Sequence, residues 1–232
     1  MVLGRYSFKL SILLILFFSL MVVLLSSKLG MITLALIYMS SFIYYSRKKY
    51  IIGIIGIVFT ALAGIAIFKF VPAVAERIQN SIHSLTAPTM DNADAESTTV
   101  RMLIWKAANQ VICEHPIFGA GTGDAKDVLM KEYEKRGMTG AYEHQLNAHN
   151  EFYQTFVSIG LIGFTALCLQ LFLPLYFSIK NKTLIYTVFI LIVVLNFLPE
   201  SMLESEGGVI FYAFFNCLLC FSLLPKQTHT AL

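Results

Sequence analysis

Apolar residues in this chain fall into long blocks separated by short polar connections. Six blocks cover roughly residues 9–25, 30–45, 51–69, 153–179, 183–198 and 208–224, each near the ~20 residues a helix needs to cross a hydrocarbon core, the second and fifth being short. Between the third and fourth blocks the pattern changes. Val71, Val74, Ala75, Ile78, Ile82 and Leu85 recur at helical spacing after Pro72, which predicts an amphipathic helix lying along a membrane surface. Thr86 to Glu96 is polar and contains Pro88, the composition of a connection. A further helix is expected from Ser97 or Thr98 to Glu114, stopped by His115-Pro116. Another opens at Asp124, with Asp127 in its first turn and Gly137 at its C-terminal cap. The expected fold is therefore an all-α polytopic membrane protein of about six transmembrane helices. It divides into residues 1–70 with three spans, a mostly helical extracytoplasmic loop domain over 71–151, and residues 152–232 with three spans and a short cytoplasmic tail.

Composition agrees, since 57% hydrophobic and 13% charged residues exclude an ordinary soluble domain. Charge then orients the spans. Arg5, Lys9, Arg47, Lys48, Lys49, Lys180, Lys182 and Lys226 fall on one side of the blocks, whereas the opposite short connections hold only Lys28. Positively charged connections stay in the cytoplasm, so that side, with both termini, is expected inside. Every Asp and Glu lies between Glu76 and Glu151 or between Glu200 and Glu206, both regions on the other side. The first block follows basic residues like a signal peptide, but its apolar run is longer and no A-x-A site follows, which reads as a retained anchor. Cys168, Cys217 and Cys220 lie in apolar blocks and only Cys113 outside, so there is no disulfide framework. The Cys217-x-x-Cys220 spacing has no polar neighbours that would complete a metal site. The net charge of +3 follows from membrane orientation, and nothing points to nucleic acid. The spans are nearly free of ionisable residues, with Lys69 close enough to an end to snorkel, which counts against a transporter.

Candidate chemistry gathers on the outer side. His149-Asn150 is followed by nine residues, Gly160, two residues and Gly163. On a helix starting at His149, positions Tyr153, Phe156, Gly160 and Gly163 share its face, and the glycines would admit another transmembrane helix. With Asn147 as N-cap, His149 would sit in the first turn, where the helix dipole favours a neutral ring able to take a proton. An interfacial histidine beside packing glycines is the plain alternative. Arg101 and Trp105, four apart, share a helix face on which stacking would orient the guanidinium. Gly119, Gly121 and Gly123 read as a turn, or as a cradle of backbone N–H groups for an anion, although Asp124 and Asp127 oppose an anion there. Glu143, His144, His149 and Glu151 lack the spacing of a zinc site. Glu204, at the outer end of the fifth block, could orient a base or a sugar, or be a solvated acid.

Taken in order, Arg101-x3-Trp105, Pro116-Ile117-Phe118-Gly119-x-Gly121 and His149-Asn150-x9-Gly160-x2-Gly163 resemble the O-antigen ligase family of bacterial membrane glycosyltransferases. The likeness covers about residues 20 to 180. Where that family has Ser-Arg-Gly, this chain has Ser26-Ser27-Lys28-Leu29-Gly30, which keeps the charge and loses the bidentate fork of arginine. The resemblance implies a GT-C-like, metal-independent enzyme without cofactor in the inner membrane, its active face periplasmic. Its donor would be a glycan on undecaprenyl diphosphate and its acceptor a hydroxyl of a lipid A core sugar or another glycan, amid membrane lipids. By position, His149 would be the base, Arg101 a diphosphate contact and Lys28 a weaker second cation. Asn150, Trp105, Gly119, Gly121 and Glu204 would be further substrate contacts. Because family members carry about twice as many spans, the resemblance implies a missing N-terminal membrane half as partner, with the chain a fragment, a pseudogene product or half of a two-chain enzyme. O-antigen polymerase and protein O-oligosaccharyltransferase are neighbouring readings with the same donor. A non-catalytic or truncated membrane protein that binds lipid-linked glycan is the reading of another class.

Overall fold

The computed structural model describes residues 8–24, 28–46 and 98–221, with single positions at 51, 54, 58, 69, 72, 76 and 79. Every regular element among the described residues is helical. Apart from those single positions, the expected third span, the amphipathic helix over 71–85 and the connection to Glu96 lie outside the described residues. The chain forms two compact units, Met1–His83 and Ser84–Leu232.

In the first unit, α1 (Phe8–Leu24) and α2 (Lys28–Ser46) pack on each other. The Ser19 hydroxyl, which also donates to the Ile15 carbonyl at 2.6 Å, meets the hydroxyl of Tyr38. Leu13, Leu16, Phe18 and Leu24 of α1 remain exposed. A helix apolar on all sides is built for apolar surroundings rather than for one packed stripe.

The second unit has two tiers. In the first, α3 (Thr98–Glu114), α4 (Ala125–Lys135) and α5 (Thr139–Glu143) form a cap over the first turns of α6 (Glu151–Lys180). Ile104, Ala107, Ala108 and Val111 make the buried stripe of α3 at the i, i+3, i+4, i+7 spacing, and they meet Leu129 and Tyr133 of α4 and Val157 of α6. Helices α3 and α4 end where local signals place them, whereas α5 was not expected from the sequence. At the end of α4, Met138 N–H donates to the Tyr133 carbonyl at 2.9 Å and Gly137 N–H to Glu134 at 3.0 Å, with Gly137 at φ +66°, a Schellman closure that only a residue tolerant of the left-handed region completes cheaply.

The other tier holds the rest of α6, α7 (Leu184–Phe197), a 3₁₀ turn (Met202–Glu204) and α8 (Glu206–Phe221), packed around Leu167, Leu171, Val193, Phe197 and Tyr212. Among the described residues α6 alone is long and apolar enough to cross a membrane; shorter apolar helices stand at the expected first, second, fifth and sixth spans.

The expected continuous helix through Gly160 is corrected by the structure. Gly160 has φ +67° and ψ −158°, a backbone that breaks α6 between Ile159 and Leu161. The loop 116–121 fills the break. Ala120 N–H donates to the Val157 carbonyl at 2.8 Å and Gly121 N–H to Ser158 at 2.9 Å, while Leu161 N–H donates to Pro116 at 3.0 Å and Ile162 N–H to Ile117 at 3.5 Å. Backbone groups that a helix break would orphan are thus paired within the chain. The approach explains the glycines: a Cβ on Gly119 would lie 2.6 Å from Gly160 N, and one on Gly160 would lie 2.5 Å from Gly119 N and collide with the Ile117 carbonyl. Gly163 makes room for the Ile159 side chain, folded back over the next turn. Gly160 and Gly163 therefore serve the chain's own loop and side chain, where the spacing had suggested a neighbouring helix.

Candidate functional site

His149 does not belong to α6. It takes φ +44°, in the left-handed region that non-glycine residues seldom adopt. Asn150, rather than Asn147, is the N-cap: its extended backbone starts the helix and its side-chain oxygen accepts from Tyr153 N–H at 3.1 Å. The shared helical face of His149, Tyr153 and Gly160 is therefore corrected on two counts, since the histidine precedes the helix and Gly160 breaks it. Asn147 has a different task, accepting from the His149 N–H at 3.0 Å.

The strained residue is fixed from every side. Trp105 donates its indole N–H to the Ala148 carbonyl at 3.0 Å, and the Gln154 side chain accepts from Ala148 N–H at 3.0 Å. Asn150 N–H donates to the Ser201 hydroxyl at 3.2 Å, and its side-chain amide donates to the Leu198 carbonyl at 2.7 Å. The Trp105 ring lies parallel to Tyr153 with centroids 5.9 Å apart, so the aromatic partner of Trp105 is Tyr153. A residue in an unfavourable backbone region persists when its surroundings over-determine it, and such places are often functional.

These bonds draw the segment 198–205 against His149 and bring in Glu200. One of its oxygens accepts from Arg101 Nη2 at 2.8 Å and the other lies 3.5 Å from His149 Nδ1, at the long limit for a hydrogen bond. The bond to His149, followed by the Arg101 charge, holds the Glu200 carboxyl below its ordinary range against the opposing effect of partial burial. Two nitrogens of this cluster, His149 Nε2 and Arg101 Nε, are buried and have no hydrogen-bond partner. An unpaired buried polar atom is costly unless something else supplies the partner.

Glu204 sits one step away. Its oxygens accept from Gln154 Nε2 at 2.5 Å and Asn147 Nδ2 at 3.3 Å, so it steadies the groups that hold His149. Glu151 is buried and braces the same turn, accepting from Leu203 N–H at 2.7 Å and the Thr155 hydroxyl at 3.2 Å. Gly119 and Gly121 lie away from this cluster, at the α6 break. Their N–H groups go to the His115 and Ser158 carbonyls, which leaves the anion cradle without those two donors. Lys28 opens α2 in the first unit, and its side chain lies outside the described residues.

The structure thus gathers Arg101, Trp105, His149, Asn150 and Glu204 of the expected residues, and it adds Glu200, Gln154 and Ser201. Glu200 was visible in sequence only as the first acid after the fifth span, four residues from Glu204. Nothing local distinguishes the two.

Comparison with known proteins gives a family model described as O-antigen ligase that matches residues 12–168. That stretch includes Arg101, His149 and Gly160 and stops short of Glu200. A protein of Haemophilus influenzae, described as an uncharacterized protein, is 27% identical over 188 residues, which is 76% of this chain and 46% of that protein. The chain spans about half the length of the curated relative it matches. No solved structure matches it.

Proposed function

The chain belongs to the O-antigen ligase family, and on that premise we propose that it transfers a glycan from undecaprenyl diphosphate to a hydroxyl of a lipid A core sugar, with His149 as general base. One observation carries the reading. His149 faces the Glu200 carboxylate through Nδ1 and keeps Nε2 free of any protein partner. A carboxylate only accepts, so Nδ1 bears the N–H of the neutral ring and Nε2 offers the lone pair.

In the step, the acceptor O–H passes its proton to Nε2 as its oxygen bonds to the anomeric carbon. The bond from that carbon to the diphosphate breaks, and its electron pair leaves on the phosphate oxygen. Charge therefore grows on the diphosphate, where fixed cations and N–H donors contribute most. Arg101 is such a cation, anchored by Glu200 through one nitrogen, with its Nε unpaired. Metal is not invoked, because Arg101 carries the charge and the imidazole carries the proton. Glu200 is a positioning residue that fixes the tautomer of His149 and supports its positive charge after proton transfer.

Glu200→Gln tests this role. A hydrogen bond to a charged partner contributes ~1.5–3 kcal/mol, so kcat should fall about 10- to 10²-fold with a smaller change in the KM for donor. Wild-type kcat in this variant would remove the carboxylate from the mechanism.

The one-sided Lys/Arg distribution supports a multi-pass inner-membrane protein with this site on the periplasmic face. Cys113 is exposed near the end of α3 and is a natural probe. An impermeant thiol reagent should label it in intact spheroplasts and leave a Lys48→Cys cysteine unlabelled until the membrane is opened. The reverse pattern would invert the orientation.

A further inference from the structure

The break at Gly160 divides α6 into two stretches with different surroundings. Before it, Glu151, Gln154, Val157 and Ser158 are buried, in the stretch that meets the cap. After it come residues 161–180, about 30 Å of helix at ~1.5 Å per residue, which is the thickness of a hydrocarbon core. Leu161, Ile162, Leu169, Phe172 and Leu173 of that stretch are exposed, as lipid-facing side chains are. The break thus lies where the helix passes from bilayer to cap.

At the same level the loop 116–121 presents Ile117 and Phe118, which are 55% and 74% exposed. Neither is in the cap core. The loop cannot turn them inward, because the backbone bonds to Val157, Ser158, Leu161 and Ile162 hold it on both sides of this pair and Gly119 is pressed against the backbone of 158–160. The backbone bonds from Leu161 and Ile162 to Pro116 and Ile117 set this pair beside the break, where Ile159, Leu161 and Ile162 are also exposed, so it extends the lipid-facing surface of α6.

We propose that Ile117 and Phe118 form a wedge that inserts among the acyl chains of the bilayer beside α6 and so sets the height of the cap above the membrane. The wedge would also fix the height of the candidate site, since the loop follows directly from α3, and α3 carries Arg101 and the Trp105 that holds Ala148. This inference rests on the membrane placement of α6 and is independent of any role of His149 as base.

Site-directed spin labelling of the full chain in lipid nanodiscs tests it, with the four native cysteines replaced. Labels go on Phe118→Cys, on Ile162→Cys as the bilayer reference and on Glu134→Cys, an exposed site on the cap, as the aqueous reference. Relaxation by dissolved oxygen, which concentrates in hydrocarbon, is compared with relaxation by a water-soluble nickel chelate. The oxygen-to-nickel ratio at 118 should approach that at 162 and exceed that at 134. A ratio at 118 equal to that at 134 would place the loop in water and overturn the wedge. Shielding from both reagents would mean that protein covers it, and nickel access at 162 would remove α6 from the bilayer; either also overturns the proposal. Loss or retention of transfer in His149 variants leaves these readings unchanged, so the two proposals fail separately.

Discussion

Replacing His149 with asparagine should lower glycan transfer by about 10²- to 10⁴-fold, the usual contribution of a general base, while leaving the protein folded. Asparagine is the informative replacement because it tolerates the φ of +44° at this position. Alanine would add backbone strain and confuse loss of the base with loss of the fold. His144→Asn is the control: His144 is exposed at the end of α5, and its variant should keep most of the activity. The measurement is transfer from lipid-linked donor in membranes with matched protein levels, repeated with EDTA, which should leave the wild-type rate unchanged. The Glu200 carboxyl is held below its ordinary range in the folded protein, so the stability it contributes is present above the unfolded value and is lost as pH falls through the folded one. Wild-type rates in His149→Asn would reduce the histidine to a structural role.

Gly160→Ala should unfold or severely destabilise the second unit. The glycine occupies φ +67°, ψ −158°, a region of ~1–3 kcal/mol cost to other residues, and its Cβ would collide with the Ile117 carbonyl. Relief of that clash requires the 116–121 loop to withdraw from the break. Each hydrogen bond lost there costs ~0.5–1.5 kcal/mol, with more for any group left buried and unpaired. Together these approach the ~5–15 kcal/mol that holds a domain folded. Thermal unfolding in detergent is the measure, with Gly123→Ala as control, since a Cβ there meets nothing within 4 Å. An unchanged transition in Gly160→Ala would mean that α6 runs unbroken through this residue.

The cap shows how far local signals reach. The buried stripe of α3 and the closure of α4 at Gly137 follow from side-chain spacing and from one left-handed residue, both properties of neighbours along the chain. Apolar blocks likewise mark the helices from Glu151 to Phe221, because burial in lipid or protein selects the same residues. The Gly160-x-x-Gly163 pair was visible but misleading: small residues admit any close neighbour, and sequence does not say whether it is another helix or a loop. Similarly, Asn147 and Asn150 are equally good caps by type, and only the contacts of Asn150 with Leu198 and Ser201 choose between them.

By itself the sequence determined which of the described apolar stretches are helical and where α3 and α4 end, because those depend on residues within a turn or two of each other. The candidacy of Arg101 and His149 also came from sequence, through a family pattern. Only the tertiary structure decided that Glu200 rather than Glu204 touches both of them, that His149 lies outside its helix in a strained backbone, and that the 116–121 loop occupies the α6 break. Those outcomes depend on hydrogen bonds between segments some 40 to 100 residues apart. No periodicity within a segment records which distant carbonyl or carboxylate will meet it.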